Sequence, residues 1–232
     1  MTEKINDYFN VGLVIPIFEA ERNLFIWKYI ADEITFIETQ SKEVKSLYSY
    51  LQRCAQINFV LLLGKVFDTK KQYETRCIKS FLELLEKNTD KSIEIVETIN
   101  TKNVLKEFNC GTELINSVDN SDTTLFPKLF TKYYLKKYSD PELQKDISTL
   151  KIVRDKFIAH NEVHEPQNFE LAVAERLVNF TTEIISTFGM AYHSTGWKTE
   201  NISRLTEDAK RNAFFVKASI DRLKNLRTTS NH

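Results

Sequence analysis

Residues 141–160, PELQKDISTLKIVRDKFIAH, decide the fold because their apolar side chains recur with the period of an α-helix. On a helical wheel, five apolar residues of this stretch share one arc: Leu143, Ile147, Leu150, Val153 and Phe157. Pro141 stands at a favourable early helical position, and Asn161 and Pro166 predict that the helix ends soon after His160. We therefore expect one amphipathic helix here.

The rest of the chain has the same helical rhythm. Seven or eight segments show it, separated by short polar stretches, and none has the strict alternation of a β-strand. Five glycines and four prolines are few for 232 residues, which is typical of long helices with few tight turns. The sequence therefore predicts an all-α protein, an up-and-down helical bundle of about seven or eight helices.

The pattern also indicates where these helices lie. Besides 141–160, the main predicted helices cover residues 19–39, 42–67, 125–138, 169–192 and 206–226. Residues 59–63 are apolar on almost every face, so the helix over 42–67 is expected to be central. Gly64 within it costs about 1 kcal/mol of helix propensity, which predicts close approach of a neighbouring helix.

Three further segments are assigned by local signals. Thr75 is a reasonable cap for a short helix, and residues 91–108 form another expected helix. Residues 109–124, with Gly111 and several Asn and Asp residues, predict a mobile loop. We expect a single helical domain over residues 1–232, with a core of about 19–192 and the helix over 206–226 appended to it.

Composition and charge limit the partners and the cellular location that we expect. Lys plus Arg equals Asp plus Glu at 32 each, so no global field attracts nucleic acid or a membrane, and any polyanion must be recognised locally. The most apolar run, 59–67, is too short to span a bilayer. The polar N-terminal residues lack a secretory pattern, and Cys54, Cys77 and Cys110 are too far apart for a metal pair. We expect a cytoplasmic protein with free thiols and with no cofactor or metal.

Arg154 and His160 are the chemically suggestive residues of the decisive helix. Arg154 falls inside the apolar arc, and a guanidinium rarely loses water without an anionic or carbonyl partner. His160 lies at the edge of the arc near the expected helix end, where the macrodipole favours its charged form. Either Arg154 pairs with an inward carboxylate while His160 closes the helix, or the two residues form a site for an anionic ligand.

The stretch Arg154-Asp155-Lys156-Phe157-Ile158-Ala159-His160 resembles the signature of HEPN domains. That signature is an arginine followed by a polar residue, then a histidine after four to six intervening residues, and five intervene here. The preceding apolar helix ending LLLGKVFD at residues 61–68, and Asn161-Glu162 after the histidine, are similar to HEPN families linked to abortive infection. The resemblance covers about residues 19–192.

The resemblance implies a bundle that dimerises, brings two Arg/His pairs into one cleft and cleaves RNA by 2′-hydroxyl attack without a metal. His160 is then the acid/base, Arg154 holds phosphate, and Asp155 orients either of them or is a solvated charge. The implied partners are RNA, a second copy and an antitoxin protein, and the implied role is phage defence or a toxin. The alternative is a noncatalytic helical module that binds RNA, nucleotide or a protein partner.

Other residues give secondary expectations. Lysines and aromatics interleave over residues 128–138, so Lys132, Lys136 and Lys137 either contact RNA or point into water while the aromatics pack inward. Glu162 stands where a HEPN subgroup paired with nucleotidyltransferase antitoxins has a tyrosine, which argues against regulation by modification there. His164 follows His160 at a zinc-compatible spacing, but no third ligand is evident.

Overall fold

The computed structural model describes residues 3–68, 74–89, 94–155, 169–195 and 204–229. Within these ranges the chain forms helices and no strand, so the predicted all-α class is confirmed, with more helices than the seven or eight expected. They are α1 (Glu3–Phe9), α2 (Ile15–Asp32), α3 (Ile34–Ile37), α4 (Lys42–Val66), α5 (Ile78–Glu86), α6 (Thr98–Glu107), α7 (Thr112–Ser117), α8 (Leu125–Tyr138), α9 (Pro141–Ile152), α10 (Leu171–His193) and α11 (Arg204–Thr229). A π-helical segment, Asn10–Val14, joins α1 to α2.

The additional helices lie where the sequence pattern is short or weak. Helix α7 falls inside the predicted loop over 109–124, because Leu114 and Val118 are buried and fix one helical turn against the core. Thr75 is not the cap of α5, which begins at Ile78 after an extended Cys77. The loop prediction was therefore wrong for Thr112–Ser117, and the Thr75-cap prediction was wrong.

Helix α10 is the central helix of the bundle. Every residue from Phe180 to Tyr192 is buried, and the helix contacts α2, α6, α9 and the π-helical segment. The prediction that the helix over 42–67 would be central was wrong. In α4 only the second half is enclosed, whereas Leu47 and Tyr50 in its first half are exposed.

Aromatic side chains account for much of the packing around α10. The ring of Phe188 lies 4.8 Å from Phe9, 4.9 Å from Phe81 and 4.7 Å from Tyr192, measured between ring centroids. These contacts join α1, α5 and α10, and tilted or edge-on aromatic pairs add about 0.5–1.5 kcal/mol each beyond their buried area. The N-terminal helix is thus part of the main core.

The C-terminal helix α11 packs along α2. Thr206 donates to the carboxylate of Glu21, and the Lys224 ammonium lies 2.6 Å from Glu33, so the two helices run parallel. Val216 and Ile220 form a second, smaller apolar cluster with the end of α2. No helix in the described ranges has the length and apolarity needed to cross a bilayer. Cys54, Cys77 and Cys110 are free thiols.

Candidate functional site

Arg154 lies where the ends of α4 and α9 meet. It lies two residues beyond the end of α9, in a π-helical turn over residues 153–155, and its side chain retains 21% of its possible exposure. The guanidinium reaches the end of α4, where Nη1 donates to the Gly64 carbonyl oxygen at 3.4 Å. The prediction that Arg154 faces packed neighbours is confirmed.

Gly64 makes this approach possible. A Cβ built on Gly64 would lie 2.8 Å from Cδ of Arg154, which is closer than side-chain atoms normally pack. The aliphatic part of Arg154 therefore lies directly on the backbone of α4, and only glycine leaves room for it. The close approach that Gly64 predicted is made by the Arg154 side chain. This contact explains why a glycine stands at a helical position despite its low helix propensity.

Two carboxylates hold the guanidinium. Nε of Arg154 donates to Oδ1 of Asp155 at 2.7 Å, while Nη1 lies 3.5 Å from Oδ1 of Asp68 just beyond α4. The hydrogen bond to Asp155 raises the pKa of Arg154, against the lowering effect of burial, so the side chain stays charged. Nη2 has no hydrogen-bond partner among the described residues. Asp155 thus holds the arginine through Nε, and the contacts of Nη1 are longer.

The second half of the predicted motif lies outside the described residues. His160, together with Phe157, Asn161, Glu162, His164 and Pro166, belongs to the segment 156–168, of which nothing is described. The structure therefore brings Arg154 and Asp155 together but does not test the predicted Arg154–His160 pair. In the described ranges no three His, Cys, Asp or Glu side chains are grouped to hold a metal ion.

The basic aromatic stretch forms α8. Phe130, Tyr134 and Tyr138 are buried, so the interpretation with the aromatics packed inward is confirmed. Lys132 and Lys136 are exposed, whereas the Lys137 ammonium lies 2.5 Å from Oε2 of Glu183 on α10. Contact of Lys132, Lys136 and Lys137 with RNA stays a prediction, and for Lys137 it requires competition with a buried carboxylate.

Glu183 is a buried carboxylate that the sequence interpretation missed. Its side chain is 8% exposed, and burial raises its pKa although Lys137 lowers it. The thiol of Cys110 lies 3.9 Å from Oε1 of Glu183 and 3.8 Å from the hydroxyl of Tyr134, which in turn lies 3.2 Å from Thr187. The available signal was the cluster of Thr, Glu and Ser within the otherwise apolar stretch 177–192.

Two cavities differ in charge. The Glu183 cavity, about 630 Å³ between α8, α9 and α10, is lined by three cationic and four acidic side chains, and includes Lys136 and Lys137. The Asp68 cavity, about 460 Å³, lies between the π-helical segment, the start of α2 and the end of α4. Its lining contains Lys65, Arg76 and a single acid, Asp68, the residue that also contacts Arg154. The more cationic cavity therefore adjoins the Arg154 site.

Comparison with protein-family models, curated proteins and solved structures finds no match for this chain. Its function must therefore be inferred from the residues themselves.

Proposed function

We propose that this chain is a HEPN-like, metal-independent endoribonuclease that acts in phage defence or as a toxin. The observation that carries the proposal is the guanidinium of Arg154, which Asp155 holds through Nε, while Nη1 makes two long contacts and Nη2 has no hydrogen-bond partner among the described residues. An arginine held in this way is already ordered before a ligand binds. It therefore presents its planar donors to a phosphate at a low entropic cost.

The chemistry assigns a role to each residue of the motif. Cleavage of RNA by its own 2′-hydroxyl needs a base for that hydroxyl, an acid for the leaving 5′-oxygen and donors for charge developing on the phosphate. In the proposal His160 exchanges the protons and Arg154 contacts the phosphate oxygens. Because one imidazole cannot stand on both sides of an in-line displacement, a second copy of the chain supplies the second histidine.

Asp155 acts on Arg154 in this proposal. Its carboxylate accepts from Nε at 2.7 Å, which is the length of a charge-assisted hydrogen bond, and it sets the plane of the guanidinium. Asp155 is therefore a positioning residue. Asp155→Asn keeps a hydrogen-bond acceptor for Nε and should lose less activity than Asp155→Ala, whereas a solvated charge without a role gives equal activity for both.

The deciding experiment is cleavage of mixed RNAs in the presence of a chelator, followed on a denaturing gel. Wild-type protein should cleave, and Arg154→Ala and His160→Ala should each lose about 10²-fold or more in rate, as is usual for removal of an acid/base or a charge-stabilising donor. Arg222→Ala is the matched control because Arg222 is an exposed arginine on α11. Cleavage that persists in His160→Ala, or that the chelator abolishes, would overturn the mechanism.

The second candidate is a noncatalytic module that binds RNA, nucleotide or a protein partner. It is supported by the two carboxylates, Asp155 and Asp68, which already offset the charge of Arg154. Under this alternative wild-type protein binds RNA or another partner but leaves RNA intact in the gel assay. Binding that weakens in Arg154→Ala and is unchanged in His160→Ala would favour it.

A further inference from the structure

The Asp68 cavity combines an apolar floor with cationic edges. Its apolar lining includes Val11, Ile15, Pro16 and Leu62. Val11 is 47% exposed and Ile15 is 55% exposed, so these two side chains present apolar surface to solvent beside the π-helical segment. A volume of about 460 Å³ lies within the roughly 300–1,000 Å³ of pockets that hold small ligands.

The cations of the cavity are Lys65 and Arg76. Lys65 is an exposed residue in the last turn of α4, with no ion-pair partner among the described residues. Arg76 donates from Nε to Asp7 at 2.6 Å, and its side chain remains 53% exposed. Both cations therefore have surface available to an anionic ligand.

Arg76 and Arg154 are each positioned by close packing against a glycine. A Cβ on Gly12 would lie 2.7 Å from Cβ of Arg76, just as a Cβ on Gly64 would lie 2.8 Å from Cδ of Arg154. A side-chain carbon of each arginine, Cβ of Arg76 and Cδ of Arg154, thus packs directly against a glycine. Asp68 links the two places, because it lines the cavity and lies 3.5 Å from Nη1 of Arg154.

The charge balance selects the kind of ligand. Among the described residues the lining holds two cations, Lys65 and Arg76, and one acid, Asp68. Arg76 is also paired with Asp7, so Lys65 is the lining cation most available to an anion. The Glu183 cavity is larger but has more acids than cations, so a polyanion is repelled there. An apolar floor suits the face of an unpaired base, and the cations suit its phosphate.

We propose that the Asp68 cavity is a subsite for one nucleotide of single-stranded RNA, adjacent to the phosphate held by Arg154. The base lies on Val11, Ile15 and Leu62, and its phosphate contacts Lys65 and Arg76. This inference rests on the proposed function, since it places the subsite next to an arginine that acts on RNA.

The test measures binding of the full-length protein to a single-stranded oligonucleotide with 2′-O-methyl groups, which lacks the attacking hydroxyl. Fluorescence anisotropy across a salt series gives both affinity and salt dependence. Lys65→Ala should weaken binding about threefold to tenfold and reduce the slope of log K against log salt by about 0.7, the value for one contact to a single strand. Ile15→Ser should weaken binding without changing the slope.

Lys106→Ala is the matched control, because Lys106 is an exposed lysine in the last turn of α6 outside the cavity lining. Equal effects of Lys65→Ala and Lys106→Ala would show general charge attraction and overturn the subsite. If Ile15→Ser converts a dimer to a monomer by light scattering and leaves RNA affinity unchanged, the apolar floor is a self-association surface, which also overturns the proposal.

Failure of the subsite and failure of the nuclease are separable. If Arg154→Ala weakens binding while Lys65→Ala and Ile15→Ser do not, the subsite is wrong and the nuclease proposal stands. If both cavity variants weaken binding but the wild-type protein leaves natural RNA intact, the subsite stands and the nuclease proposal fails. Absence of oligonucleotide binding by the wild type overturns the subsite.

Discussion

Gly64→Ala separates the stability of the fold from the function of Arg154. The added Cβ would lie 2.8 Å from Cδ of Arg154, whereas ordinary van der Waals contact begins at 3.4 Å, so the two atoms must separate by about 0.6 Å to reach ordinary contact. Nη1 sits 3.4 Å from the Gly64 carbonyl oxygen and 3.5 Å from Asp68, near the outer limits of both contacts. The displacement therefore breaks them.

Stability and function should respond differently. Alanine gains about 1 kcal/mol of helix propensity over glycine at this position in α4. Loss of the hydrogen bond to the carbonyl removes a similar amount, about 1 kcal/mol. We expect the free energy of unfolding to change by less than about 1 kcal/mol, while the rate of RNA cleavage falls about 10- to 100-fold because a misplacement near 1 Å is costly for a positioned group.

A double-mutant cycle checks this reasoning. Urea denaturation and RNA cleavage are measured for Gly64→Ala, for Arg154→Ala and for the double variant. Without the arginine side chain beyond Cβ, the alanine methyl has room, so the double variant should be about 1 kcal/mol more stable than Arg154→Ala and no less active. The reasoning is refuted if Gly64→Ala destabilises the protein by more than about 3 kcal/mol, the upper end for overpacking, or if it cleaves RNA at the wild-type rate while Arg154→Ala does not.

Three further changes test other parts of the structure. Gly12→Ala should lower the free energy of unfolding, measured by urea denaturation, by about 1–3 kcal/mol. The new Cβ meets Cβ and the backbone oxygen of Arg76, and neither atom can rotate away, so unchanged stability would contradict this contact. Burial lowers the pKa of His193, so the unfolded state binds more protons than the folded state below about pH 6.5. The free energy of unfolding should therefore fall between pH 7.5 and pH 5.5. If His193→Gln loses the same amount, this histidine is not the cause. Lys137→Met removes the cationic partner of the buried Glu183 carboxylate and should lower the free energy of unfolding by about 1–2 kcal/mol at pH 7.5. Because burial raises the pKa of Glu183, this cost should shrink as the pH falls; a cost that does not change with pH would contradict the raised pKa.

The fold class could be predicted from the sequence because each long helix buries one face. Its apolar residues therefore recur with the helical period, which is visible within the segment itself. Arg154 could be placed on the packed side of its helix for the same reason. Helix α7 could not be predicted, since one turn fixed by Leu114 and Val118 is too short to show a period. The central position of α10 is likewise a property of the assembled bundle rather than of one segment.

The partners of Arg154 illustrate what a sequence pattern omits. Asp155 is adjacent and could be considered from the motif, whereas Asp68 and Gly64 lie far away in the chain and meet Arg154 only through the contact of α4 with α9. The glycine did carry a signal, because it interrupts a helix at a cost in propensity. The signal predicted a close neighbour but could not identify it as an arginine side chain.

The unequal lengths of the contacts to Arg154 indicate how the site can accept a phosphate. Asp155 binds Nε at 2.7 Å, while Asp68 is 3.5 Å from Nη1, a distance at which a charged pair gains little. In the proposed site an incoming phosphate accepts from Nη1 and from Nη2, which has no hydrogen-bond partner in the described ranges, and it replaces the weak Asp68 contact. Asp155 keeps Nε throughout, so the guanidinium plane does not change on binding. In this proposal the weakly bound Asp68 is displaced by the phosphate, whereas Asp155 stays bound to Nε and keeps Arg154 oriented.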